Sequence, residues 1–259
     1  QYRNLCHRGC PFGGYFSTNS ATLPAALKTG KLTVLNLHVA PGLGNGMGGI
    51  YTAGIAQTPL LVLIGGQDRR FLHTNPILWG PVEKMAGSIC KNVFTLETRE
   101  DAQATLKNAL QAVLTPPFAP VALVCPPDLL EEDIDTDAQR VEASSLPALT
   151  ADAAAQYAQL LMKAKSPALI AAEDVHWNKA DGALGKIANA LGAPVYVAPY
   201  TAALPVDSAS PCYAGYLPPS FKQISARLEK HDLLFFVGGT GLRTTLYSEP
   251  ALPQTKLWL

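Results

Sequence analysis

Apolar and β-branched residues recur along the chain in short runs, which are separated by glycine-rich turns or by segments of helical length. The first clear pair of runs is Thr33–His38 and Leu60–Gln67, with a glycine-rich turn and a stretch of small residues between them. Short apolar runs bounded by turn residues predict buried strands, and a helix between two of them predicts a βαβ unit with parallel strands. His38 is then expected at the carboxyl end of a strand, the edge of a parallel sheet at which ligands bind.

A helix and a further strand are predicted in the same half of the chain. Apolar residues fall at three- and four-residue steps between Glu100 and Leu114, which is the period of a helix with one buried face. Thr98 and Asp101 have the spacing of a capping box at the start of that helix. Val121–Val124 predicts the next strand, so the helix is expected to pack on the sheet.

The second half of the chain repeats the alternation of helices and strands. Residues 131–149 carry an acidic run followed by Ser and Pro, which favours a solvated interdomain linker over an acidic functional cluster or metal loop. After Thr150 the pattern predicts a helix, a strand at Ala168–Ala172, a helix at Ala183–Leu191, a strand at Val195–Ala198, a helix at Phe221–Lys230 and a strand at Leu233–Val237. These elements form a second α/β unit of Rossmann-like type.

The first 32 residues show no sustained helical or strand period, because Pro, Gly, Ser and Thr are scattered through them. We predict a loop-rich entry with a short helix at Ser20–Lys28, because Gly30 follows at the position where helices usually stop. No acidic residue occurs before Asp68.

Composition excludes several classes of function. Twenty basic residues balance 20 acidic ones, and no basic patch with interleaved aromatic residues occurs, so no nucleic-acid partner is predicted. With 48% apolar and 15% charged residues among 259, the chain can bury the cores of one large or two ordinary domains. No apolar run is long enough for a membrane span, and the amino terminus lacks the pattern of a signal peptide. The expectation is therefore a soluble, cytoplasmic protein.

Cysteine usage points to a reducing environment rather than to a disulfide framework. The five cysteines are odd in number and spread along the chain, which favours free thiols. Cys6, His7 and Cys10 lie close together, but no second pair of ligands follows at the spacing of a zinc site. No metal site is therefore predicted in this sequence.

Two segments in the second half are weaker candidates for chemistry. Gly238–Gly241 follows a predicted strand and is a candidate phosphate loop, but it lacks the full dinucleotide-binding spacing. Glu173, Asp174 and His176 follow another predicted strand, where a solvated turn is favoured over a catalytic acid pair. No Gly-x-Ser-x-Gly or His-Glu-x-x-His pattern supports a hydrolase or a zinc protease.

The strongest candidate chemistry is at His38 and the glycine-rich segment after it. A neutral imidazole at the ligand edge of a sheet can pass protons near neutral pH. Gly42, Gly44 and Asn45 have two interpretations that stay open. In the first, they form a tight strand-to-helix turn with positive φ, and Asn45 caps the helix. In the second, they offer hydrogen-bond donors to a bound ring.

These segments resemble a known family in order and spacing. Asn36-Leu37-His38 followed by Gly42-Leu43-Gly44-Asn45-Gly46-Met47-Gly48 resembles the pyrimidine-binding domain of thiamin-diphosphate-dependent enzymes, among them benzoylformate decarboxylases. The resemblance continues through Gly65–Arg69, Pro120–Pro127, Ala193–Pro199 and Pro211–Gly215. It implies an α/β fold with a parallel-sheet pyrimidine-binding domain at 1–130, atypical or truncated at its start, the linker at 131–149, and a Rossmann-like central domain at 150–259.

The resemblance also implies a function. The chain is expected to be part of a thiamin-diphosphate-dependent 2-oxo acid decarboxylase, with an acetolactate-synthase-like carboligase or a non-catalytic α/β binding remnant as alternatives. His38 matches the catalytic histidine of the family, and Gly42, Gly44 and Asn45 match residues that contact the cofactor. The implied cofactors are thiamin diphosphate and Mg²⁺, and the substrate is a small 2-oxo acid. The full-length protein is expected to be a homodimer or homotetramer.

Three departures from the family pattern accompany the resemblance. Nothing in the chain resembles the pyrophosphate domain, where the metal ligands are expected, and the sequence begins at Gln1, so we expect a fragment, a processed chain or a defective gene. Ser210 stands where benzoylformate decarboxylases have a second active-site histidine. The activating glutamate of the family falls on Tyr15 or Arg8, neither of which is a carboxylate. The chain alone is therefore expected to be inactive.

Overall fold

The computed structural model describes residues 33–131, 141, 148–245, 247–248 and 257–258. The chain divides into two compact units, Gln1–Leu146 and Pro147–Leu259. That boundary falls inside the segment for which a linker is predicted. The expected loop-rich entry, the helix at Ser20–Lys28, both positions aligned with the family's glutamate and most of the linker lie outside the described residues.

The first unit contains a four-stranded parallel sheet with the order β1-β2-β4-β3. Its strands are β1 (Thr33–His38), β2 (Leu60–Gly65), β3 (Asn92–Thr95) and β4 (Val121–Cys125). Its helices are Val39–Ile55, the 3-10 helix Arg69–Thr74, Val82–Gly87, Arg99–Val113 and Pro127–Leu130. The predicted capping box of Thr98 and Asp101 is confirmed at the start of Arg99–Val113.

Helices cover both faces of this sheet. Ile50 of the first helix packs in one cluster with Val62 of β2, whereas Val113 packs in another cluster with Leu61. Because neighbouring residues of a strand point to opposite faces, Leu61 and Val62 belong to opposite sides of the sheet. Burial on both sides explains why β2 and β4 are continuous apolar runs rather than alternating ones.

The second unit contains a five-stranded parallel sheet with the order β7-β6-β5-β8-β9. Its strands are β5 (Pro167–Ala171), β6 (Val195–Val197), β7 (Tyr213–Tyr216), β8 (Leu233–Val237) and β9 (Leu257–Trp258). Its helices are Ala151–Lys163, Glu173–Trp177, Asp181–Leu191 and Phe221–Leu228. The first strand of the unit is central and later strands lie on both sides of it, which is the doubly wound Rossmann arrangement. The predicted fold class is confirmed.

Candidate functional site

His38 is the last residue of β1 and directly precedes the helix Val39–Ile55. Its side chain is exposed, and the strand register pairs it with Gly65 at the end of β2. Because the strands are parallel, both residues lie at the carboxyl-terminal edge of the sheet. An exposed imidazole at this edge is accessible to a ligand, which is the placement expected from the sequence. Its catalytic role stays a prediction.

The glycine-rich segment after His38 is helical from its start. The helix begins at Val39, so Gly42, Gly44 and Asn45 lie in its first two turns. The expected turn with positive φ at the glycines and an Asn45 cap is therefore wrong. Positive φ occurs instead at Val39, at 47°, and the residue at the N-cap is His38, without a side-chain cap hydrogen bond. A left-handed backbone at a β-branched residue is unusual, and it lies next to the candidate catalytic group.

Gly46 lies close to the end of the Leu37 side chain, and Gly42 lies at ordinary van der Waals distance from β1. A Cβ added to Gly46 would lie 2.9 Å from Leu37 Cδ1, and one added to Gly42 would lie 3.6 Å from His38 Cβ. Gly44 and Asn45 are exposed. Gly42 is thus beside His38, while contact of Gly44 and Asn45 with a cofactor stays a prediction.

A cleft of about 180 Å³ opens at the carboxyl-terminal edge of the first sheet. The residues that line it lie at the ends of strands, directly after strands, or in the segment that runs from β2 into the helix Val82–Gly87: Val39, Ala40, Gly66, Gln67, Arg69, Leu72, Leu78, Trp79, Gly80, Val82, Glu83, Thr95, Leu96, Glu97, Val124 and Pro126. His38, Gly42, Gly44 and Asn45 are not among them. Val39 and Ala40, the two residues after His38, line the cleft. Most of the other lining residues were not predicted from the sequence to belong to a site. The only available signal was their position after strand ends, where loops often carry function.

Ion pairs occur in the segments that follow β2 and β4, next to this cleft. Arg69 Nε donates to Asp128 Oδ2 at 2.7 Å, and Arg70 Nη2 donates to Asp68 Oδ2 at 2.6 Å and to Glu131 Oε2 at 3.2 Å. The side-chain hydrogen bond from Arg70 holds the pKa of Asp68 below its usual range. Burial by itself would raise the pKa of Asp128. The hydrogen bonds from Arg69 have the larger combined effect, so the pKa of Asp128 lies below its usual value. Both carboxyl groups are therefore charged near neutral pH.

The corresponding edge of the second sheet is occupied by its own side chains. Glu173 has a side chain that is only 2% exposed, and Arg243 Nη1 donates to Glu173 Oε1 at 2.6 Å. Asp174 Oδ2 accepts a hydrogen bond from the Gly239 backbone N–H at 2.9 Å. The favoured interpretation of a solvated turn is therefore wrong for Glu173. It failed because Arg243, which pairs with Glu173, is distant in sequence.

The diglycine of the candidate phosphate loop has a steric role. Gly238 and Gly239 both have φ of 74°. A Cβ added to Gly239 would lie 2.6 Å from Ala172 Cβ, and one added to Gly238 would lie 2.8 Å from Asp174 Cβ. The loop needs glycine to pack against the end of β5, and the N–H of Gly239 already has a carboxylate partner.

A comparison with protein families and with known proteins places these observations in context. The family model described as "Thiamine pyrophosphate enzyme, central domain" matches residues 154–257. Benzoylformate decarboxylase of Pseudomonas aeruginosa is 30% identical over 225 residues, which cover 84% of this chain and 42% of that protein. The chain belongs to the thiamin-diphosphate-dependent enzyme family. Of its two units, the second contains the match to the central-domain model.

Solved structures of this enzyme family have the same fold. The thiamine diphosphate-dependent 4-hydroxybenzoylformate decarboxylase of Rhodococcus jostii RHA1 matches with a TM-score of 0.78 and 27% identity, over 90% of this chain and 45% of that one. Benzoylformate decarboxylase of Polynucleobacter necessarius matches with a TM-score of 0.74 and 25% identity, over 90% and 44%. The chain thus spans less than half the length of these relatives.

The lining of the cleft includes side chains that suit an aromatic ring such as the pyrimidine of thiamin diphosphate. It combines apolar Leu72, Leu78 and Trp79 with polar Gln67 and charged Arg69, Glu83 and Glu97. Within the described part of the chain, no group of three or more His, Cys, Asp or Glu side chains could hold a metal ion.

Two further findings concern partners and reactivity. None of the described helices has the length and apolar character that a membrane crossing requires.

Cys90, Cys125 and Cys212 are free thiols, and burial raises the pKa of Cys90 and of Cys125 to about 11. Thiols with so high a pKa are mostly protonated near pH 7 and are poor nucleophiles, so neither is a candidate catalytic group.

Proposed function

We propose that this chain is part of a thiamin-diphosphate-dependent 2-oxo acid decarboxylase. The observation that carries the proposal is the 30% identity to benzoylformate decarboxylase, which extends over 84% of the chain and so includes both units. The related solved structures quoted above are also decarboxylases by their printed names, which favours decarboxylation over carboligation. The substrate of the complete protein is then a small 2-oxo acid.

His38 is the proposed proton-transfer group. It is exposed at the end of β1, where it can reach a ligand, and imidazole is the commonest proton-transfer group of enzymes. When bound, thiamin diphosphate supplies the electron sink that decarboxylation of a 2-oxo acid requires. His38 would hold or deliver a proton at its imidazole nitrogens beside that group. Gly42, Gly44 and Asn45 would contact the cofactor.

The remaining parts of the proposal concern the protein that contains this chain. We place Mg²⁺ and the diphosphate on residues outside the described ones, because these hold no cluster suited to a metal. The complete enzyme is proposed to be a cytoplasmic homodimer or homotetramer. The chain by itself is expected to show no decarboxylase activity, because most affinity for the cofactor would come from charge-assisted contacts to metal and phosphate.

The test measures carbon dioxide release from benzoylformate and from an aliphatic 2-oxo acid. The assay uses the protein encoded by the full reading frame that contains this chain, with thiamin diphosphate and Mg²⁺ added. Cofactor-dependent release from either acid is the expected result. Condensation of two 2-oxo acids without release of free aldehyde would favour the carboligase, and the absence of any cofactor-dependent reaction would contradict an enzymatic function.

A second measurement addresses the chain alone. Calorimetry with thiamin diphosphate and Mg²⁺ is expected to detect no tight binding to residues 1–259. Micromolar binding would contradict the expectation that this chain by itself lacks the contacts that hold the diphosphate and its metal.

A further inference from the structure

We propose that Arg69 is a positioning residue that holds the ends of three strands together and so fixes the walls of the cleft. This inference rests on the proposed function only where it connects the cleft with the reaction. We call Arg69 and its two partners, Asp128 and Glu97, the clamp. Its geometry does not depend on what the cleft binds.

Arg69 follows β2 and contacts the segments that follow β3 and β4. Its Nε donates to Asp128 Oδ2 at 2.7 Å, and its backbone N–H donates to Asp128 Oδ1 at 3.2 Å. Its Nη1 donates to the backbone carbonyl of Glu97. One side chain therefore links three neighbouring strand ends, in a sheet whose order is β1-β2-β4-β3.

The contact with Asp128 is partly shielded from solvent, which makes it stronger than an ordinary surface pair. The Asp128 side chain is 11% exposed and that of Arg69 is 39% exposed. Asp128 uses both carboxylate oxygens on Arg69, and a hydrogen bond between two charged groups is stronger than one between neutral groups. Removal of the guanidinium would leave a largely buried carboxylate with fewer donors and the Glu97 carbonyl without this partner.

The clamp forms part of the cleft wall. Arg69 and Glu97 line the cleft directly, and Gly66, Gln67 and Pro126 line it next to the clamped segments. Val39 and Ala40, which directly follow His38, also line the cleft. The position of the clamped segments therefore affects the distance between a bound molecule and the end of β1, and small errors in such distances cost large factors in rate.

Arg70 provides a matched contrast from the next position in the chain. It pairs with Asp68 and Glu131, and its side chain is 59% exposed. Arg70 is not among the residues that line the cleft. It has the same charge and side-chain length as Arg69, so a comparison of the two separates the clamp from the loss of one positive charge.

The test uses tryptophan fluorescence in the full chain and needs no turnover. Trp79 lines the cleft, and the variant Trp177→Phe/Trp258→Phe leaves it as the only tryptophan. In that background, Arg69→Gln is expected to increase acrylamide quenching of Trp79 by less than twofold, because Trp79 is already 54% exposed and local opening exposes only the remainder. Asp128→Asn is expected to act in the same direction, and Arg70→Gln is expected to leave quenching unchanged.

Two further variants keep the proposal open to refutation. If Arg69→Gln does not fold, as judged by circular dichroism, Asp128→Asn carries the test. Arg69→Lys is expected to restore the protection only in part, since an ammonium group cannot reproduce the two-armed contact of the guanidinium. Equal quenching in the Arg69→Gln, Asp128→Asn and Arg70→Gln variants would overturn the proposal.

Activity of the complete enzyme then connects the clamp with the reaction. Arg69→Gln is expected to lower kcat about tenfold or more, with a smaller change in KM, whereas Arg70→Gln keeps both. Lower kcat with unchanged Trp79 quenching would overturn the positioning role and leave the proposed function intact. Increased quenching in an enzyme without decarboxylase activity would leave the clamp intact and contradict the function.

Discussion

The carboxyl-terminal edges of the two sheets have similar sequence features and opposite accessibility. In the first unit, β1 ends in His38, whose side chain is exposed, and a cleft opens after the strands. In the second unit, β5 is followed by Glu173, which is buried in an ion pair with Arg243. Asp174 there accepts a hydrogen bond from the glycine loop after β8. The first edge can admit a ligand beside the end of β1, whereas the positions directly after β5 and β8 in the second sheet are filled by groups of the protein itself.

This difference shows why a glycine-rich loop after a parallel strand is an ambiguous sign of a binding site. The loop geometry brings backbone N–H groups to the sheet edge in either case. A donor is available to a ligand only if no side chain has taken it. For Gly239 that side chain is Asp174, which is 65 positions away in the sequence.

The largest expected effect concerns the accessible edge. We expect His38→Ala to lower turnover of the complete enzyme about a hundredfold or more, as loss of a positioned acid or base does. Folding should change little because the side chain is exposed. His73→Ala is the control, since His73 is also exposed and lies in the 3-10 helix after β2, outside the cleft lining. Steady-state kinetics of both variants decide the matter, and equal activities would exclude a catalytic role for His38.

A second prediction concerns the ion pair at the filled edge. Arg243→Met leaves the Glu173 carboxylate buried without its partner, which is expected to cost about 3 kcal/mol of unfolding free energy. Replacing both residues with Met removes the buried charge and is expected to recover much of that loss. Urea unfolding of the wild type and the three variants, including Glu173→Met, measures the coupling. Additive losses in the double variant would mean that the pair makes no net interaction.

The third prediction separates steric packing from backbone strain in the glycine loop. Gly239→Ala is expected to cost about 2 kcal/mol or more, because its Cβ would overlap Ala172 Cβ in addition to the strain of a left-handed backbone. Gly192→Ala is the matched control, because φ at Gly192 is 60° and no atom lies within 4 Å of the added Cβ. Thermal unfolding should show the larger loss for Gly239→Ala. Equal losses would assign the whole effect to the backbone.

The smallest expected effect is a pH dependence at the accessible edge. The pKa of Asp128 is lowered in the folded protein, so its contact with Arg69 contributes stability above the unfolded-state pKa of about 4. That contribution is lost as the pH falls through the lower folded-state value. Asp128→Asn should therefore be less stable than the wild type at pH 7, and the difference should shrink toward pH 3. A constant difference across this range would show that ionisation of Asp128 does not contribute.

Local patterns predicted most of the fold because regular elements with one buried face have a clear period. Thr33–His38 and Leu233–Val237 are strands with the predicted bounds, and Thr98 caps its helix as expected. Strands β3 and β7 were missed because each has four residues and none that is fully buried, so neither forms an apolar run. These two strands are defined by their hydrogen-bonded pairing with β4 and β6 and not by their amino-acid composition.

The sequence by itself determined the α/β class and the position of His38 at the end of a strand, because these depend on periodicity and on strand ends. Only the tertiary structure decided that helix Val39–Ile55 starts directly after His38 and includes Gly42, Gly44 and Asn45. It also decided which edge is accessible. Arg69 and Asp128 are 59 positions apart, and Glu173 and Arg243 are 70 apart. Contacts of that range depend on the packing of strands, and no local pattern of residues encodes them.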